Sequence, residues 1–193
     1  MIRFKYGGVS VKISFSFLVF NALIFLIRDS RLIMAFYTTC AIHEAGHIFA
    51  LKLTGGSVSG IIFSGAGIRI DTRKSCTLPL RSSLFVLIAG PAVNLIVYAV
   101  FRSCGGVFPI LNLAAALYNL LPYRSLDGGA IIALFVTGTP HERRAELILS
   151  VIKLLMIAAA LAVMAVCGRA AMPLLIVSIG LFIGDMVKNK SGH

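Results

Sequence analysis

The chain has 193 residues, of which 59% are hydrophobic and only 13% charged, with a mean hydropathy of +0.97. A soluble domain carries roughly 25% charged residues and about half apolar ones, so the composition points to an integral membrane protein and away from a soluble one. The formal net charge of +11 does not indicate nucleic acid, because the basic residues stand between apolar stretches, as topology-setting charges do, and no basic segment is interleaved with aromatics.

A helix needs about 20 apolar residues to cross the ~30 Å hydrocarbon layer. The apolar stretches predict crossings over 9–27, 32–53, 78–101, 107–136 with an interruption, 147–166 and 170–187. The first, with Arg3 and Lys5 before it and Lys12 near its start, resembles a secretion signal. It runs into Leu26-Ile27-Arg28-Asp29 without a small-residue cleavage site, so a retained helix is expected. Residues 55–75 are rich in Gly and Ser, and Val58, Ile61, Ile62, Phe63, Ile68 and Ile70 predict two short strands around Ser64-Gly65-Ala66-Gly67. Pro122, the polar Arg124-Ser125 and the pair Gly128-Gly129 break the fourth stretch. Irregular backbone at that depth is tolerated where protein buries it or it lines a wet cavity.

Basic residues set the orientation. With the termini inside, twelve fall in inner segments and four in outer loops, which predicts a multi-pass protein of the cell membrane with both termini cytoplasmic. The expected fold is all-α and polytopic, with about six transmembrane helices and a small membrane-associated β-hairpin after the second. It is expected to form a single domain over 1–193 with its core at about 32–137. The four cysteines, Cys40, Cys76, Cys104 and Cys167, include no C-x-x-C pair and form no disulfide framework.

Chemistry concentrates at His43-Glu44-Ala45-Gly46-His47. Histidines at i and i+4 share one helix face and can bind one metal ion together, and Glu44 beside them can take a proton from a water that the metal acidifies. Of seven acidic residues, Glu44 and Asp127 lie well inside apolar sequence, where an ionisable group costs on the order of 3 kcal/mol and normally has a partner. A catalytic zinc takes three protein ligands and one open position. Asp127, beside two glycines, is the best third ligand; its rival role is the N-cap of the helix that follows. Cys40 and His141 are weaker candidates. Within Gly90-Pro91-Ala92-Val93-Asn94, the residues alone favour a proline kink with Asn94 bonding a freed carbonyl, over an amide that holds substrate.

Three motifs, in this order on successive spans, resemble the site-2 protease family of intramembrane zinc metalloproteases: His43-Glu44-x-x-His47, Gly90-Pro91-x-x-Asn94 and Asn119-Leu120-Leu121-Pro122-x-x-x-Leu126-Asp127-Gly128-Gly129. The match covers roughly residues 35–135. The short six-span form is most similar to the bacterial sporulation stage IV FB subgroup, without that subgroup's CBS domain. The resemblance implies one zinc per chain held by His43, His47 and Asp127, with Glu44 as general base and Asn94 positioning substrate. It further implies a hairpin around Gly65 and Gly67 to which substrate adds as a strand. The implied activity is a zinc-dependent endopeptidase cutting in or near a transmembrane segment of a membrane-embedded protein, such as a sigma-factor precursor or anti-sigma factor. The implied surroundings are the lipid bilayer and an inhibitory membrane partner, with no nucleic acid and the oligomeric state left open. Two rivals stand beside it. One is an inactive relative that binds membrane helices. The other is a metal or proton transporter, which would show more buried ionisable groups and repeated broken helices.

Overall fold

The computed structural model describes residues 2–6, 9–15, 17–18, 22, 30–64, 67–72, 78–167 and 178–183. The chain divides into two compact units, Met1–Leu117 and Tyr118–His193.

The first unit contains a four-stranded sheet. Strand β1 (Ile2–Tyr6) pairs antiparallel with β2 (Val9–Ile13), placing Phe4 opposite Val11 and Arg3 opposite Lys12. Strand β2 then runs parallel to β3 (Val58–Ser64), with Ser10 beside Gly60 and Ile13 beside Phe63. Strand β3 pairs antiparallel with β4 (Gly67–Thr72), with an irregularity between Val58 and Gly60. The β3–β4 hairpin stands where the sequence predicts it. The β1–β2 hairpin corrects the expected first crossing, whose opening residues 9–13 are a strand. Val9-Ser10-Val11-Lys12-Ile13 alternates with period two and is β-branched at each apolar position, which suits a half-buried strand with a local partner. Most of the remainder of that stretch lies outside the described residues. With the order β1-β2-β3-β4, β3 is an interior strand, and among the described residues the sheet edges are β1 and β4.

Helix α1 (Ser30–Leu53) has 24 residues and is about 36 Å long. Gly55, at φ 77°, ends it in the left-handed conformation that glycine adopts without a Cβ penalty. Backbone bonds from Gly55 N to Lys52 O (3.1 Å) and Gly56 N to Leu51 O (2.9 Å) satisfy the last carbonyls. Helix α2 (Leu80–Phe101, 22 residues) contains Pro91 and continues into a short 3-10 turn at Arg102–Cys104. Helix α3 (Val107–Asn119) follows. Helices α1 and α2 pack closely at Gly46, where an added Cβ would lie 2.8 Å from Ala89 O and 3.1 Å from Val93 Cγ2. Small residues at such crossings let helix backbones approach. Asn112, fully buried on α3, donates to Thr39 Oγ1 on α1 (3.1 Å) and to Phe108 O (2.9 Å). Cys40 and Cys104 are free thiols.

The second unit holds α4 (Asp127–Val136) and α5 (Glu142–Cys167, 26 residues). Gly138 N donates to Glu142 Oε2 (2.8 Å), which ties the α4–α5 turn to the first turn of α5.

Two helices, α2 with its 3-10 extension and α5, are long and apolar enough to cross a membrane. Their apolar side chains point away from the protein: in the most apolar 18-residue window only 17% of α2 and 11% of α5 is buried. Ile96 and Val100 on α2, and Leu147 and Leu155 on α5, are 60% or more exposed. A soluble protein does not sustain apolar faces of that extent, and hydrocarbon covers them without cost. Helices α3 and α4, of 13 and 10 residues, are about 20 and 15 Å long, so each is shorter than the hydrocarbon layer, as the interrupted stretch predicts. Helix α1 has the length to cross but carries Arg31, His43, Glu44, His47 and Lys52. Of the expected crossing at 170–187, residues 178–183 are described, and they are helical.

Candidate metal centre

Thr39, His43, Gly46 and Ala50 are buried along α1 at spacings of three and four, the period of one helix face. The imidazoles of His43 and His47 meet edge to face, with ring centroids 4.7 Å apart and Nε2 atoms 3.1 Å apart. His47 Nδ1 donates to the Val86 carbonyl at 2.8 Å. A carbonyl only accepts, so that bond holds the His47 proton on Nδ1 and leaves a lone pair on Nε2, the arrangement typical of metal-ligating histidines. Two nitrogens at 2.0–2.1 Å from a tetrahedral zinc are about 3.3 Å apart. The observed separation needs only a slight opening to match, so this pair fits a zinc ion.

Helix α2 builds the opposite wall with residues four apart. Val86 supplies the carbonyl. Gly90 supplies the space: an added Cβ would lie 2.5 Å from His47 Cε1 and 2.9 Å from His43 Cε1. Asn94, fully buried, brings its Nδ2 to 3.4 Å from His43 Nδ1. Gly90, Pro91 and Asn94 are the buried residues of α2. The Gly-Pro-x-x-Asn motif is thus the stripe that receives the two histidines. Pro91 offers no N–H to the Leu87 carbonyl.

In the second unit, Asp127 is the first residue of α4. The N-cap position belongs to Leu126, which makes no side-chain cap bond, and Ala130 N bonds to Leu126 O at 3.0 Å. This removes the reading of Asp127 as the N-cap, while its carboxylate in the first turn suits the positive end of the helix dipole. Residues 120–126 form a tight run of turns, with Tyr123 N bonded to Leu121 O and Leu126 N to Tyr123 O, both at 2.8 Å. Gly128 and Gly129 allow α4 to start against this run. A Cβ on Gly128 would lie 2.7 Å from Leu121 O, and one on Gly129 would lie 2.6 Å from Arg124 N.

Helix α5 anchors the same run at two points. Tyr123 is fully buried, with Lys153 Nζ 5.5 Å from its ring centroid, a cation–π arrangement that gives a lysine in an apolar helix a partner. One face of α5 also carries Glu146, seven residues earlier, which pairs with Arg124. That ion pair is about one-third exposed on both sides, and such pairs contribute about 0–1 kcal/mol. Glu146→Gln is therefore expected to lower thermal stability in detergent by less than about 1 kcal/mol; a larger loss would make the pair a principal anchor.

The sequence reading quoted Gly46 and Gly90 inside its motifs without a packing role for either, and gave no role to Tyr123 or Lys153. A lysine alone in an apolar helix was the available signal for Lys153; the glycine contacts are set by tertiary approach and carry no local signature. His141 is exposed at the start of α5. Gly65 lies outside the described residues, and Gly67 opens β4 opposite Ser64.

No protein-family model matches the chain. A zinc metalloprotease of Methanocaldococcus jannaschii is 25% identical over 149 residues, covering 67% of this chain and 43% of that protein. A Synechocystis protein named as a zinc metalloprotease is 29% identical over 109 residues, covering 50% of this chain and 28% of that protein. The chain thus spans less than half the length of either relative. Among solved structures, the site-2 protease from Methanocaldococcus jannaschii superposes with a TM-score of 0.68 at 21% identity, covering 96% of this chain and 93% of that one. The chain has the fold of that protein.

Proposed function

We propose that this chain is an intramembrane zinc metalloprotease of the site-2 type, in which His43, His47 and Asp127 hold one zinc ion and Glu44 is the general base. The observation that carries the reading is the histidine pair. Its two Nε2 atoms converge at 3.1 Å, and one ring is locked in the ligating tautomer by a backbone carbonyl, inside a chain of site-2 protease fold. Two imidazoles and a carboxylate, with a fourth position open, are the donor chemistry of catalytic zinc. Cys40 and His141 stand outside this set. A transporter would place ionisable groups along a path through repeated broken helices, and the one break described here, between α3 and α4, leads to a carboxylate.

Bound there, zinc would supply Lewis acidity to the scissile carbonyl and lower the pKa of a water. The remaining steps belong to the chain. Glu44 takes the water proton as that oxygen attacks the carbonyl carbon, then delivers it to the nitrogen of the leaving amine. The substrate is a transmembrane segment of a second membrane protein, of the kind found in sigma-factor precursors or anti-sigma factors. It must unwind locally, since an intact helix hides its peptide bonds, and an unwound segment can add to a sheet edge through backbone hydrogen bonds. In this sheet β4 offers such an edge; β3, paired on both sides, does not. A multi-pass arrangement with both termini in the cytoplasm completes the proposal.

Zinc content tests the reading without a known substrate. Purified protein in detergent is expected to hold one zinc per chain, with loss in both His47→Ala and Asp127→Ala. A folded wild type free of zinc would overturn the protease and favour an inactive helix-binding relative. Loss in His47→Ala alone would remove Asp127 from the ligand set.

A further inference from the structure

The hydrogen bonds around the histidine pair form one ordered run. His47 Nδ1 donates to Val86 O, so His47 Nε2 has only a lone pair to offer. With both rings neutral, the 3.1 Å contact between the two Nε2 atoms makes His43 Nε2 the donor. A neutral imidazole carries one N–H, so His43 Nδ1 is an acceptor and takes its hydrogen from Asn94 Nδ2 at 3.4 Å. The other end of the same amide, Asn94 Oδ1, is buried with no hydrogen-bond partner among the described residues.

A metal held by both Nε2 atoms takes the lone pair of each. His43 must then carry its proton on Nδ1 and needs an acceptor there. Asn94 holds one in reserve: a half-turn of its amide exchanges Nδ2 for Oδ1 at the same place. A side-chain amide carries a donor and an acceptor on separate atoms that a half-turn interchanges. Asn94 is fully buried, so it serves the histidine and is closed off from a substrate in this conformation.

We infer that Asn94 is a positioning residue for His43, whose amide turns to donate to one imidazole tautomer and accept from the other, and so sets the tautomer in which His43 binds metal. The inference rests on the zinc reading above and departs from the role in substrate positioning that the family resemblance implies. Val86, Gly90 and Asn94, each four residues on from the last along α2, then form one device: a fixed acceptor for His47, clearance for both rings and a reversible partner for His43.

The test compares wild type, Asn94→Asp and Asn94→Leu as full-length proteins in detergent, with zinc affinity measured by chelator competition and histidine tautomers by ¹⁵N NMR of histidine-labelled protein. Leucine fills the site without an acceptor and is expected to weaken zinc binding about 10- to 100-fold, the usual effect of removing such a partner. Aspartate keeps the shape and the acceptor and is expected to bind zinc at least as tightly as wild type. In metal-free wild type the His43 proton is expected on Nε2, and in metal-free Asn94→Asp on Nδ1. Wild-type affinity in Asn94→Leu, or equal weakening in both variants, would overturn the positioning role. If wild type bound no zinc, the zinc reading would fall, and the metal-free tautomers would still decide this one: an unchanged His43 proton in Asn94→Asp would reject it.

Discussion

Glu44→Gln is expected to reduce cleavage of a transmembrane reporter by about 10²- to 10⁴-fold, the usual contribution of a positioned general base. That is about 3–5 kcal/mol of transition-state stabilisation. Zinc per chain should be unchanged, because Glu44 is not among the proposed ligands and glutamine keeps its size and hydrogen-bonding reach. Glutamine cannot take a proton from water at neutral pH, so the loss should fall on kcat with KM nearly constant. The measurement is initial-rate cleavage in detergent beside metal analysis of the same preparation. Turnover within a few fold of wild type would remove Glu44 as the base. Loss of zinc together with activity would make it a structural neighbour of the ligands.

Gly90→Ala is expected to cost the metal centre more than a single methyl suggests. Ordinary overpacking costs about 1–3 kcal/mol when neighbours can shift. Here the new Cβ would meet both imidazoles, and neither moves freely: His47 is held to Val86 O and His43 to Asn94. The helices cannot part without opening the Gly46 crossing, which closes to 2.8 Å from Ala89 O for an added Cβ. The expected result is zinc affinity weakened by at least about 100-fold, the upper end for disturbing the shell around a ligand, with a lowered melting temperature in the metal-free protein. Chelator competition and thermal unfolding in detergent would check it. Near-normal zinc affinity would mean that α1 and α2 separate more easily than their contacts imply.

The site was legible where chemistry and local spacing coincide. The histidine pair needs only a helix to converge, and the break before Asp127 is written in Pro122 and the two glycines. The β3–β4 hairpin shows in its alternation and central Gly-Ala-Gly. The N-terminal hairpin was hidden because Val9, Val11 and Ile13 lead into a longer apolar stretch, and apolar content outweighed the alternation carried by Ser10 and Lys12. The parallel β2–β3 pairing joins residues far apart in sequence, which no local pattern encodes. The partnership of Asn94 with His43 was equally out of reach: from sequence, the asparagine is one polar residue beyond a proline, and the choice between kink and site depends on which helix packs opposite.

The parallel pairing of β2 with β3 has a consequence in time. Ser10 leaves the ribosome some fifty residues before its partner Gly60, a delay of about 3–10 s at roughly 5–20 residues per second. The β1–β2 hairpin can close within about 10 μs, so for nearly all of that interval it waits with the β2 side unmatched. An unmatched strand is a template for pairing with a neighbouring nascent chain. Lys12 on β2, with Arg3 opposite it and Lys5 two pairs away, places like charges where two such hairpins would meet. Those cations, which a reading of the finished protein assigns to membrane orientation, stand where like-charge repulsion opposes pairing between newborn copies until β3 arrives.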